Sequence, residues 1–235
     1  MIPKVIHYCW FSDQPYPKKI KKCIKTWNKF LPDYEIKLWN FKNFPRGKSK
    51  WVDDAIQNKK YAFAADYIRA YALFNEGGIY LDSDVEVLKS FDDLLHLPYF
   101  IGREIESPIE AAVMGAEKGA TIFSLLLDYY NNTEFINNNG ELSLTPMPFV
   151  MNQLMQSHFN IMDVQTPSAI KPSDSYIYIL PFDYFSPKSY IDQKIHLTNN
   201  TYTIHHFAAS WLSPIAVLLL KIARIKRFIK GIKCY

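Results

Sequence analysis

Asp82-Ser83-Asp84 places two carboxylates one residue apart, directly after the short apolar run Ile79-Tyr80-Leu81. Where a strand ends and alternation breaks down, both can aim oxygens at one hard cation such as Mn²⁺ or Mg²⁺. A cation held from one side keeps positions open for phosphate oxygens, so it can neutralise a departing diphosphate. Asp-x-Asp alone equally describes a polar turn whose carboxylates are solvated or cap backbone amides. Its context is more unusual. Asp66 and Arg69 lie three residues apart in an otherwise small and aromatic segment, so they project from nearly the same side of a helix.

The elements that must position these groups follow from the flanking pattern. In Tyr61 to Val87, Ala62, Ala65, Ile68, Ala72 and Leu73 recur at three- and four-residue intervals, which predicts a helix with one apolar stripe. Gly77-Gly78 supplies left-handed positions for its end, and Ile79-Tyr80-Leu81 turns the chain to extended structure. Upstream, Ile2 to Trp10 reads as a first strand, with His7 a structural residue within it. Pro17 to Phe30 reads as a helix with a lysine face, Tyr34 to Trp39 as a second strand ending at a turn capped by Asn40, and Trp51 to Asn58 as a short helix. Downstream, strands are expected at 99–102, 109–115 and 176–180, helices at 121–130 and 147–158, and a loop at 131–140. In an open α/β sheet the ligand crevice lies beyond the carboxyl ends of the strands, where Trp10 falls. By periodicity alone Trp10 is a core aromatic.

The run AADYIRAYALFNEGGIYLDSDVEVLKSFDDLL closely resembles the signature of glycosyltransferase family 32, the sugar transferases with a DXD motif. IPKVIHYCW at the start and HHFAASW at 205–211 are also similar to that family. The resemblance implies an α/β fold of the GT-A nucleotide-diphospho-sugar transferase type, with a mixed, mainly parallel sheet flanked by helices. It further implies a nucleotide-sugar donor, a divalent metal and retention of anomeric configuration. Asp84 is then expected to bind the metal directly and Asp82 through water or the donor ribose. Asp66 and Arg69 match family residues that hold sugar hydroxyls, and Trp10 matches the tryptophan that stacks on the base. Tyr80 is expected to border the nucleotide, although as a strand residue it equally suits the core. In this and related families a residue about five before a tryptophan completes the metal site. His206 has that spacing to Trp211 and is preferred to His205, with Trp211 against the diphosphate and Ser210 helping to bind phosphate. Front-face retaining transfer lets the leaving phosphate take the acceptor proton, so no general base is assigned; a double displacement would need a nucleophile that the sequence does not identify. The middle of the chain matches the family loosely, and Glu110 to Gly115 stays unassigned.

The resemblance leaves several donors open, a UDP-sugar foremost and GDP-mannose among them, and implies a glycan or lipid-linked acceptor in bacterial capsular or surface polysaccharide synthesis. No nucleic-acid partner is expected. Two other classes compete. A non-catalytic carbohydrate-binding protein could keep the fold, but both aspartates and the Asp66/Arg69 pair are intact. A haloacid-dehalogenase-type phosphatase would carry Thr or Val two residues after its second Asp, where this chain has Glu86.

The 235 residues, 49% hydrophobic and 21% charged, suit one globular domain and exclude a disordered chain. Three scattered cysteines, Cys9, Cys23 and Cys234, exclude a disulfide framework and suit a reducing compartment. Residues 1–212 are expected to form the catalytic domain and 213–235 a basic amphipathic helix. That tail holds six of the 27 basic residues; the other 21 face 23 acids, so the net +4 comes from the tail. Its apolar run is too short to span a bilayer but suits an anionic membrane surface. With no leader sequence recognised, the expected location is the cytoplasm, peripheral on the inner face of the cell membrane.

Overall fold

The computed structural model describes residues 1–208 together with Leu219 and Ala223. Its strands, numbered along the chain, are β1 Val5–Cys9, β2 Glu35–Trp39, β3 Gly78–Leu81, β4 Val85–Val87, β5 Tyr99–Gly102, β6 Glu110–Ala116, β7 Asn160–Asp163, β8 Tyr176–Ile179 and β9 Thr203–His205. The helices are α1 Lys18–Phe30, α2 Lys50–Gln57, α3 Tyr61–Glu76, α4 Thr121–Asn132 and α5 Met147–His158. The central sheet has the order β2-β1-β3-β6-β5. β1 pairs in parallel with β2 and β3, and β6 runs antiparallel to both β3 and β5, so β6 alone is reversed. This is a mixed α/β sheet with most strands running one way, as expected.

Alternation along β3 divides its side chains between two cores. Tyr80 faces a cluster with Ala64, Ile68, Leu73 and Phe123 from α3 and α4, while Ile79 and Leu81 face Trp27, Phe91, Phe100 and Phe185. Both faces of the sheet are therefore covered. Because α3 packs against the sheet and against α2 and α4, Ala64 to Ala70 are buried without a break. The single apolar stripe expected there is in fact a helix enclosed on several sides, and that enclosure takes Asp66 and Arg69 inside with it.

Gly77 and Gly78 make the turn from α3 into β3 with φ of 69° and 103°. A Cβ at Gly77 would lie 2.7 Å from the Lys118 nitrogen, and one at Gly78 would lie 2.7 Å from the Val5 carbonyl, so dihedral and close approach both demand glycine. His7 locks the same corner. Fully buried, it meets the Gly77 carbonyl through Nε2 at 2.8 Å and the Trp39 indole through Nδ1 at 3.1 Å. The indole N–H can only donate, so Nδ1 accepts and Nε2 carries the proton. Burial lowers the His7 pKa and keeps the ring neutral.

The other expected helices begin and end within two residues of α1, α2, α4 and α5. Asn40 caps its turn, accepting from the Lys42 amide at 2.9 Å. Two pairings lie outside the expected set: β7 with β8, stitched to the sheet edge by the Leu180 amide on the Ile101 carbonyl at 2.9 Å, and β4 with β9. Apart from Leu219 and Ala223, the expected 213–235 helix lies outside the described residues. Among the described residues, no helix is long and apolar enough to cross a membrane.

Candidate active site

A cleft of about 1310 Å³ opens at the carboxyl ends of β1 and β3. Trp10, Asp66, Arg69, Tyr80, Asp82 and Asp84 all line it, so segments distant in sequence converge on one place. Pairing with β6 continues one residue past β3, where the Asp82 amide donates to the Ala112 carbonyl at 2.8 Å. The chain then turns, with the Val85 amide on the Asp82 carbonyl at 3.0 Å, and this turn brings both carboxylates to the sheet end.

Asp82 is tied from below. Its Oδ1 accepts from Arg69 Nη2 and from the Tyr80 hydroxyl, each at 3.1 Å. Arg69 also reaches Asp66 at 3.3 Å, donates to the Ala111 carbonyl and lies 4.6 Å over the Tyr80 ring. Asp66 and Arg69 are 7% and 5% exposed, so one guanidinium compensates two carboxylates largely removed from water. Burial pushes the Asp66 carboxyl up to about 6 against the pull of Arg69, and raises Asp82 for the same reason. Tyr80 is buried in the floor, and its hydroxyl holds Asp82 in place. Trp10 is half-buried in the cleft wall, edge-on to Tyr16 at 5.0 Å.

Asp84 is held by the far end of the chain. The Ala208 amide donates to its Oδ2 at 2.6 Å and the His206 amide to its carbonyl at 3.2 Å. The register of β4 with β9 puts His205 opposite Val85, which brings the imidazole Nε2 to 3.6 Å from Asp84 Oδ1. Ligand atoms of Asp82, Asp84 and His205 lie within 4.8 Å of one another. Two carboxylates and an imidazole form a donor set that suits Mn²⁺, and they could hold such an ion here.

His206, the expected third metal ligand, is placed differently from His205. Adjacent residues of an extended segment point to opposite sides, and with His205 directed at the carboxylates His206 turns away to Glu86, its Nε2 2.7 Å from Oε2. Ser210 and Trp211 lie outside the described residues.

Behind His205 stand two acids to which the sequence assigned no role. Glu110 opens β6 and is fully buried; its Oε1 accepts from the Ala112 amide at 2.6 Å and its Oε2 lies 3.5 Å from His205 Nδ1. Glu104 joins them in the same cleft. Burial lowers the His205 pKa, but Glu110 and Asp84 outweigh it and hold the ring at about 10. Burial would likewise raise Glu110, and the His205 charge overrides it and keeps the carboxyl low. Glu104, half-buried beside Glu110, is pushed up to about 8 by desolvation and by the Glu110 charge. A charged residue within the otherwise apolar IEAAVMGA was the available signal for Glu110.

The glycosyltransferase sugar-binding region containing the DXD motif matches residues 17–101, which include Asp66, Arg69, Asp82 and Asp84. Over this stretch the chain is similar to the DXD-motif glycosyltransferases. Trp10, Glu110 and His205 lie outside the matched glycosyltransferase region. The chain is 35% identical over 122 residues to inositol phosphoceramide mannosyltransferase 3 of Schizosaccharomyces pombe, covering 50% of this chain and 34% of that protein. It is 30% identical over 120 residues to mannosyl phosphorylinositol ceramide synthase SUR1 of Saccharomyces cerevisiae, covering 49% and 31%. The chain thus spans about a third of the length of these curated relatives. Among solved structures, the PaToxG glycosyltransferase is similar with a TM-score of 0.49 and 22% identity, over 66% of this chain and 68% of that one.

Proposed function

We propose that this glycosyltransferase is metal-dependent and retaining, and that it moves a hexose or N-acetylhexosamine from a nucleoside-diphosphate sugar to a glycan or lipid-linked acceptor. The observation that carries the proposal is the convergence of Asp82, Asp84 and His205 at the end of β3, beside the buried Asp66–Arg69 pair and within one cleft. In this reading the three side chains hold Mn²⁺ or Mg²⁺, which when bound supplies charge neutralisation for the departing diphosphate. Trp10 stacks on the base. Asp66 and Arg69 hold sugar hydroxyls, with their ion pair keeping both groups in one orientation before the donor arrives. Tyr80 and Arg69 restrain Asp82 so that its carboxylate needs little reorganisation. Ser210 and Trp211 remain proposed phosphate contacts.

The similarity to an inositol phosphoceramide mannosyltransferase and a mannosyl phosphorylinositol ceramide synthase supports mannose as a sugar to test beside UDP-sugars, and a lipid-borne acceptor beside the polysaccharide acceptors of a bacterial surface. A peripheral location on an anionic membrane is supported by α1, where Lys18, Lys19, Lys21, Lys22, Lys25 and Lys29 are all exposed and no acidic residue occurs.

The test is a panel of UDP- and GDP-sugars with Mn²⁺, following nucleoside diphosphate released by the purified protein, with and without acceptor lipids and glycans. Release from one donor, abolished by chelator and by Asp84→Ala, is expected. Binding of a donor without release under any acceptor condition would favour the non-catalytic carbohydrate-binding reading. No donor binding at all would overturn the proposal and leave Asp82-Ser83-Asp84 a polar turn.

A further inference from the structure

Glu110 has a burial and a placement that packing does not account for. It is 0% exposed, in a strand whose other residues are apolar or glycine, and a carboxylate buried without compensation costs several kcal/mol. One oxygen serves the Ala112 amide, while Oε2 has no hydrogen-bond partner among the described residues. That oxygen faces the Nδ1 edge of His205 at 3.5 Å, an ion-pair separation, and the opposite Nε2 edge faces Asp84 at 3.6 Å. His205 Nδ1 likewise has no hydrogen-bond partner among the described residues. The imidazole therefore stands between two carboxylates, one beside the Asp-x-Asp turn and one behind it.

We propose that Glu110 is a positioning residue for the metal site, acting through His205: its Oε2 accepts from the Nδ1–H edge of the ring, which orients the imidazole and leaves Nε2 facing Asp84, free to bind a divalent cation. The inference rests on the proposed role of His205 as a metal ligand. A carboxylate behind a ligating imidazole orients the ring, and losing such a partner typically costs 10- to 100-fold in metal affinity. A purely architectural Glu110 would contribute to folding alone.

The experiment is a Mn²⁺ titration of metal-stripped protein, reading free Mn²⁺ by electron paramagnetic resonance. It compares the parent with Asp84→Asn, Glu110→Gln and Glu110→Ala, alongside the melting midpoint of each in chelator. The parent should bind and Asp84→Asn should not. Glu110→Gln, which keeps the shape and an acceptor oxygen but loses the charge, should weaken Mn²⁺ about 10-fold, and Glu110→Ala toward 100-fold. If Glu110→Ala does not fold, Glu110→Gln carries the test. A folded Glu110→Gln protein with Mn²⁺ affinity within about twofold of the parent, whatever its melting midpoint, overturns the inference. That result with Asp84→Asn still defective would leave the metal reading intact; absence of Mn²⁺ binding by the parent would overturn both.

Discussion

Replacing Arg69 with Met removes the positive charge from a site where it faces Asp66 at 3.3 Å and Asp82 at 3.1 Å and keeps most of the side-chain volume. Both Arg69 and Asp66 are almost fully buried, so solvent does little to rescue the carboxylate left behind. Breaking a buried pair from one side costs about 3–5 kcal/mol. For a chain of this size each kcal/mol is worth about 2–4 °C, so the melting midpoint at pH 8 in chelator should fall by roughly 6–20 °C. The pH dependence distinguishes this cause from a simple packing defect. Burial already raises Asp66 to about 6 with Arg69 opposing it, and raises Asp82 as well, so loss of Arg69 moves both higher. A carboxyl raised above its unfolded value contributes stability that is present below the unfolded pKa and lost as pH rises through the folded one. The variant is therefore most penalised at pH 8, and its deficit relative to the parent should narrow as the pH falls from 8 toward 6 and its buried carboxyls, raised above the parent's, take up protons. Thermal melts of both proteins at pH 8, 6.5 and 5 read this directly. A deficit that stays constant or widens toward pH 5 would refute the idea that Arg69 compensates these carboxylates.

Two further outcomes are expected. Trp10→Ala should weaken donor binding by about 1–3 kcal/mol, the usual worth of a base stacked on an aromatic, read as a roughly 5- to 150-fold rise in KM with little change in kcat; an unchanged KM would return Trp10 to the wall of the cleft. Neutralising Lys18, Lys21, Lys22 and Lys25 together to Gln should reduce sedimentation with phosphatidylserine-containing vesicles, since each basic residue near anionic headgroups is worth about 1 kcal/mol, and should leave the weak association with neutral vesicles unchanged. Equal sedimentation of parent and variant would count against α1 as a membrane-facing surface.

The α3–β3 core of the site could be read from the chain because its signals are local. Helical spacing, two glycines and an apolar strand lie within 61–87, and the same-side placement of Asp66 and Arg69 follows from helix geometry alone. The choice between His205 and His206 is of another kind. It depends on β9 pairing with β4 across more than a hundred residues, and two three-residue strands carry no periodicity long enough to announce that pairing. Spacing to Trp211 favoured His206, whereas the pairing register turns His205 to Asp84. Glu110 was hidden for a related reason: a glutamate at the start of an apolar strand looks like a strand terminus until β9 sets an imidazole beside it. Burial around α3 also exceeded its periodicity, because α2 and α4 cover sides that a single-stripe reading leaves to solvent.

In the proposed mechanism Asp82, Asp84 and His205 join a nucleoside diphosphate to the protein through a divalent cation. A calorimetric titration of UDP and of GDP into the metal-stripped protein, with Mn²⁺ and with chelator, and again into Asp84→Asn, tests it most directly. One nucleotide should bind only when Mn²⁺ is present, and Asp84→Asn should abolish the metal-dependent part. Equal affinity with Mn²⁺ and with chelator, or full metal-dependent binding by Asp84→Asn, would contradict it.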